Sequence, residues 1–158
     1  MRITTASRRV ETAVIEALAE ETYGRAALRV PFPDPLILAR ANGFLVLPTL
    51  DGARCWTAYG GQILYYPPYG DPRRRGDAVY HELAHRLFER HGIEHLHGDV
   101  YSLALALMAP WEWVAVRLRR QGSGRTPRLL IQKNEHAPEL LLRLRVQQVF
   151  DEIASSRP

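Results

Sequence analysis

The chain has little cysteine and no long apolar run. Cys55 is the only cysteine among 158 residues, which excludes an intrachain disulfide framework and a cysteine-rich zinc finger. No stretch approaches the roughly 20 apolar residues of a membrane-spanning helix, and the N-terminal residues do not have the apolar centre of a secretory signal. We therefore expect a cytoplasmic protein that does not enter a membrane.

Lysine is also almost absent. Lys133 is the only lysine among 21 basic residues, and the formal net charge is +4. A GC-rich genome would produce this excess of arginine without selection on function. Arginine clusters at residues 73–75 and 117–128 could contact nucleic acid or an acidic partner, but such runs are more often solvated faces. Direct binding of nucleic acid is therefore an alternative that the composition does not favour.

The most informative segment of the chain is His81-Glu82-Leu83-Ala84-His85, which has the pattern H-E-x-x-H. On a helix, positions i and i+4 lie on the same face, so His81 and His85 can both turn an imidazole nitrogen toward one cation. Glu82 lies beside them, where its carboxylate can take a proton from an attacking water. This set of residues is typical of zinc-dependent peptide hydrolysis. We therefore predict Zn²⁺ as cofactor and Glu82 as general base.

The residues around the motif favour a helix from about 77 to 91. Asp77 is a suitable N-cap, and Gly92 is a suitable helix end. Val79, Leu83 and Leu87 recur every four residues and form one apolar stripe. The two histidines fall on a different face from this stripe, which predicts a helix with one core face and one metal-binding face.

A catalytic zinc site needs a third protein ligand and one position open to water. The favoured candidate is Asp99, which begins a very apolar helix predicted over residues 99–108. Its alternative role is a simple helix N-cap. His97 is the competing third ligand, and His95 is a weaker candidate.

The order of predicted elements is helices, a small sheet, and helices again, which indicates an α+β fold. We expect one domain over residues 1–158, with an N-terminal helix and linker (1–33), a core (34–110) and a helical C-terminal segment (111–158). The sheet includes a strand near residues 44–47 and a hairpin of two strands, 55–59 and 62–66, joined at Gly60-Gly61.

The motif, followed by an acidic residue that opens an apolar helix ending in Leu107-Met108-Ala109-Pro110, resembles the ImmA/IrrE family of metallopeptidases. The resemblance extends over about residues 34–150. It implies a zincin-like fold, of the gluzincin-like type in which an acidic residue is the third ligand. Counting back from Pro110, Asp99 falls on the family's ligand position. The segment from Pro138 to Leu144 resembles the family's final helix-turn-helix-like segment.

The resemblance also implies a function. Members of this family are cytoplasmic bacterial or phage proteases associated with cleavage of a helix-turn-helix transcriptional repressor, which here would be encoded nearby. Tyr101, Tyr80 or His97 would then be the residue that stabilises the oxyanion. Two alternatives remain open: a zinc-containing protein that binds a repressor without cutting it, and a DNA-binding protein with a structural zinc.

Overall fold

The computed structural model describes residues 9–26, 34–49, 56–58, 60, 62–121 and 134–156. Six helices and three strands lie within these ranges. In chain order they are α1 (Thr12–Ala26), α2 (Pro35–Ala41), β1 (Leu45–Pro48), β2 (Trp56–Ala58), β3 (Ile63–Tyr66), α3 (Pro72–Arg90), α4 (His97–Met108), α5 (Trp111–Gln121) and α6 (Glu139–Ser155). Among the helices described, none has the length and apolar character needed to span a membrane.

The strands form one small mixed sheet in the order β1-β3-β2. Central strand β3 pairs in parallel with β1, where Val46 is opposite Leu64, and antiparallel with β2, where Thr57 is opposite Leu64. The predicted hairpin and the predicted α+β class are therefore confirmed. Cys55, Tyr59 and Gly61 of the predicted hairpin lie outside the described residues.

Helices α3 and α4 supply much of the hydrophobic core. The buried positions of α3 recur every three or four residues and form one continuous face: Gly76, Val79, Tyr80, Leu83, Ala84, Leu87 and Phe88. On α4 the buried set includes Val100, Leu103 and Leu107. Apart from Gly76, these residues belong to a single core cluster together with buried residues of α1, α5 and α6, so α3 is held on one side by apolar packing.

Helix α3 begins earlier than the sequence indicated. Its N-cap is Asp71, whose carboxylate accepts a hydrogen bond from the Arg73 N–H at 2.9 Å, and Pro72 occupies the first turn. Proline there is favoured because its missing N–H would have no helical partner. The predicted N-cap, Asp77, is wrong: it lies inside the helix, one turn before His81.

The C-terminal helix is attached to the core by a buried arginine. Arg145, on α6, is only 1% exposed, and its guanidinium donates to both carboxylate oxygens of Glu16 at 2.7 and 2.8 Å. Its Nε also donates to the Ala109 carbonyl at 2.9 Å. A buried charge is tolerated only with such paired geometry, so these contacts fix α6 to α1 and to the end of α4.

Gly76 marks a close approach between α3 and the segment before α6. A Cβ at this position would lie 1.7 Å from the His136 carbonyl oxygen, and the backbone would have to move to relieve the clash. We expect Gly76→Ala to lower the free energy of unfolding by about 3 kcal/mol or more, measured by urea denaturation. Gly24→Ala is the control, because nothing lies within 4 Å of that Cβ. The control should gain about 0.5 kcal/mol, and equal stability of the two variants would contradict the close approach.

Candidate metal centre

The two histidines of the motif lie on α3 beside its core face. His81 and His85 are both partly buried, and their ring centroids are 5.0 Å apart. Their neighbours in the helix, Leu83 and Ala84, are fully buried. The core contacts of α3 therefore set the rotation of the helix about its axis and, with it, the direction in which both imidazoles project.

His97 joins them from the first turn of α4. Its ring centroid is 5.1 Å from that of His81 and 5.9 Å from that of His85. One nitrogen from each of the three rings lies within 4.8 Å of the others, which is close enough to bind a metal ion. Nitrogens around a tetrahedral zinc are about 3.3 Å apart, since each Zn–N bond is about 2.0–2.1 Å. Small rotations of the side chains would therefore suffice.

Asp99, the favoured third ligand from the sequence, is placed elsewhere. It is 3% exposed, and its Oδ2 accepts a hydrogen bond from the Leu96 N–H at 2.7 Å. The carboxylate lines a small cavity with Thr12 of α1 and Gln148 of α6. It is not among the three grouped ligands, so the structure brings the alternative candidate, His97, to the motif histidines.

The physical reason is the start of α4. The sequence predicted a helix beginning at Asp99, but α4 begins at His97. Two residues along a helix correspond to a rotation of about 200°, so Asp99 projects almost opposite to His97. Asp99 is therefore not the N-cap that was its alternative role: the N-cap is Leu96, and Asp99 is the third residue of α4, whose carboxylate accepts a hydrogen bond from the Leu96 N–H, as the acid of a capping box does.

Glu82 is held by a neighbouring cation. Its Oε1 lies 3.2 Å from the Arg86 Nε, and its side chain is 16% exposed. Arg86 also contacts Glu89, with 2.5 Å between Nη1 and Oε2. The sequence indicated Arg86 only as a cation near the end of the helix and not as a partner of Glu82, although the i, i+4 spacing between the two residues predicts such a pair.

The two tyrosines proposed for the oxyanion have different surroundings. Tyr101 is 49% exposed, and its ring centroid is 4.8 Å from that of His81 and 5.0 Å from that of His97. Tyr80 is fully buried. Burial raises the pKa of Tyr80 well above its usual value, and its hydroxyl is hydrogen-bonded with Tyr23 in the core. Only Tyr101 is therefore brought to the site.

The electrostatic environment favours neutral imidazoles. Burial, followed by the proximity of His97, lowers the pKa of His81. Burial, followed by the proximity of His81, lowers the pKa of His85. A metal ion binds the neutral ring, so both side chains are in their ligand form at neutral pH. The carboxylate of Asp77 acts in the opposite direction and raises the pKa of His81, but by less than burial lowers it. Burial also raises the pKa of the Asp77 carboxyl itself.

His95, the weaker ligand candidate, lies behind the site. Its Nε2 is 3.4 Å from the His85 Nδ1, and it is not part of the group of three possible ligands. His95 therefore contacts His85, one of the three grouped histidines, without belonging to the group.

Comparisons with protein-family models, curated proteins and solved structures give no match to this chain. The family resemblance therefore rests on the sequence motifs alone, and what it implies stays a prediction.

The grouping predicts which side chains retain metal. Wild type purified without a histidine tag should contain about one zinc per chain, and His97→Ala should lose it, as should His81→Ala and His85→Ala. Asp99→Ala should keep most of the zinc while losing about 1 kcal/mol of stability, because only a helix-start hydrogen bond is removed. Mass spectrometry after dialysis measures the zinc content of each variant, and urea denaturation measures its stability. Zinc lost by Asp99→Ala and kept by His97→Ala would reverse the assignment.

The lowered pKa values of His81 and His85 predict a pH dependence of the metal-free protein. Unfolding restores the usual pKa, which is 6.5, so the unfolded chain binds more protons as the pH falls through that value. Stability therefore falls with decreasing pH. We expect urea denaturation with a chelator present to give a lower free energy of unfolding at about pH 5.5 than at about pH 7.5.

The control is the double variant His81→Gln, His85→Gln, which keeps Asp77 and the other titrating groups. Its pH profile should be flatter than that of wild type. Two parallel profiles would show that these imidazoles titrate normally in the folded chain.

Proposed function

We propose that this protein is a zinc-dependent endopeptidase with a zincin-like fold. The observation that carries the proposal is the position of His97 beside His81 and His85, with Glu82 in the same helical turn of α3. Three histidine ligands would leave one coordination position of a bound zinc ion open to water, which a catalytic zinc site requires. A third histidine in place of an acid departs from the gluzincin-like pattern that the resemblance implies.

The chemistry follows from the residues around that position. Zinc, when bound, supplies a Lewis acid that polarises the scissile carbonyl and makes a water molecule acidic near neutral pH. Glu82 takes a proton from the attacking water as the C–O bond forms and passes it to the leaving nitrogen as the C–N bond breaks. Arg86 orients the Glu82 carboxylate through the contact at 3.2 Å.

Tyr101 is the residue that we assign to the oxyanion. It follows His97 by one turn of α4, and its half-exposed ring lies against the rings of His81 and His97. A phenol O–H can donate a hydrogen bond to the oxygen that becomes negative in the transition state. Tyr80 has no such role because its side chain is in the core.

The substrate and location in this proposal come from the family resemblance. We propose a cytoplasmic enzyme that cleaves a helix-turn-helix transcriptional repressor encoded nearby. A protein that binds the repressor without cutting it, and a DNA-binding protein with a structural zinc, are the competing functions. A general base is needed for cleavage but not for binding, so the effect of replacing Glu82 distinguishes a protease from the two competing functions.

Glu82→Gln should keep zinc and binding of the cognate repressor but lose cleavage. The amide preserves shape but cannot accept the proton, and loss of a general base costs about 10²–10⁴-fold in rate. The assay is co-expression with the neighbouring regulator, read by immunoblot for fragments and by a reporter for repression. Glu89→Gln is the matched control, since it removes the other carboxylate that contacts Arg86, and it should cleave normally. Equal relief of repression by wild type and Glu82→Gln, with intact repressor, would assign the protein to binding.

A further inference from the structure

We propose that His95 is a positioning residue that holds His85 in the tautomer with Nε2 available to the metal. The proposal rests on the metal site described above but concerns a residue outside it. Its basis is a chain of two polar contacts that runs from a backbone carbonyl through the His95 ring to the His85 ring.

The first contact determines which nitrogen of His95 carries the hydrogen. Its Nδ1 lies 3.0 Å from the Ile93 carbonyl oxygen. A carbonyl oxygen can only accept a hydrogen bond, so Nδ1 carries the hydrogen and donates it. In a neutral imidazole the other nitrogen is then a bare acceptor, which makes the Nε2 of His95 an acceptor.

The second contact determines which nitrogen of His85 carries the hydrogen. The bare Nε2 of His95 lies 3.4 Å from the Nδ1 of His85, a long hydrogen bond in which His85 donates. His85 therefore carries its hydrogen on Nδ1 and keeps the lone pair of Nε2, on the other side of the ring, for a metal ion. Metal-ligating histidines usually need such a partner for their second nitrogen; here the partner is another histidine.

The His95 ring is held in place by its surroundings. It stacks on Phe88, with a centroid distance of 4.7 Å and an interplanar angle of 17°. Phe88 is fully buried and lies on α3, one turn after His85. The turn is closed by a hydrogen bond of 3.0 Å from the Ile93 N–H to the Phe88 carbonyl, with Gly92 at φ 63°. His95 is thus fixed to the same helix that carries its partner.

Two variants separate this role from simple packing. His95→Phe keeps an aromatic ring on Phe88 but removes the acceptor. His95→Gln can place its amide oxygen near the position of Nε2 and so keeps an acceptor. We expect His95→Phe to bind zinc about 10–100-fold more weakly than wild type, and His95→Gln to recover most of that loss, in competition titrations with a chromophoric chelator.

A direct readout is the tautomer of His85 in the metal-free protein, from long-range ¹H–¹⁵N spectra of the imidazoles. Wild type and His95→Gln should carry the hydrogen on Nδ1, while His95→Phe should shift toward Nε2–H. Wild type with its hydrogen on Nε2 would overturn the proposal without any variant. Wild-type affinity and tautomer in His95→Phe would also overturn it.

Two further outcomes have distinct meanings. An equal loss of zinc in His95→Gln and His95→Phe, with a changed visible spectrum of the cobalt-substituted protein, would overturn positioning in favour of His95 as a ligand. Failure of wild type to bind zinc would remove the proposed function. The tautomer measurement is made without metal, so it would still decide the role of His95.

Discussion

The hydrogen bonds that reverse the chain between α3 and α4 are the constraint on which the rest of the site depends. The Ile93 N–H reaches back to the Phe88 carbonyl at 3.0 Å, and the Leu96 N–H reaches forward to Asp99 at 2.7 Å. The first is the 6→1 hydrogen bond of a Schellman motif, in which the glycine after the helix end, here Gly92, adopts positive φ. The second lies at the start of the next helix. Because the chain turns within these few residues, α4 packs against α3 and brings a third imidazole to the two that α3 already carries.

Helix α3 contributes both to the core and to the histidine cluster, and this accounts for the protonation state of His81 and His85. Leu83 and Leu87 anchor one face of α3 in the apolar interior, while His81 and His85 project from the adjoining face. Partial burial beside that interior lowers the pKa of both imidazoles, since the charged form loses hydration. The packing that stabilises the fold therefore also favours the neutral form of both imidazoles, which is the form that can bind a metal ion.

Some features of this protein follow from local patterns and could be predicted. The i, i+4 spacing of His81 and His85 needs only a helix, and the apolar stripe through Val79 indicates one. The hairpin around Gly60 follows from turn chemistry. The start of α3 was misplaced because Asp71 and Asp77 are both acceptable N-caps, and the proline that follows Asp71 is the stronger signal. Helix α4 starts two residues earlier than predicted, and as a result His97 rather than Asp99 lies beside the motif histidines.

What the sequence alone determined is therefore the α+β class and the pair of histidines on one helix with an acid between them, because these depend on contacts within a few residues. Only the tertiary structure decided that His97 completes the group, that Tyr101 rather than Tyr80 adjoins it, and that His95 contacts His85. Each of these depends on the angular position of a side chain about a helix relative to a second element. If a helix starts one residue earlier or later, each of its side chains points in a direction that differs by about 100°. Only the packing of α3 against α4 decides which side chains face the two motif histidines.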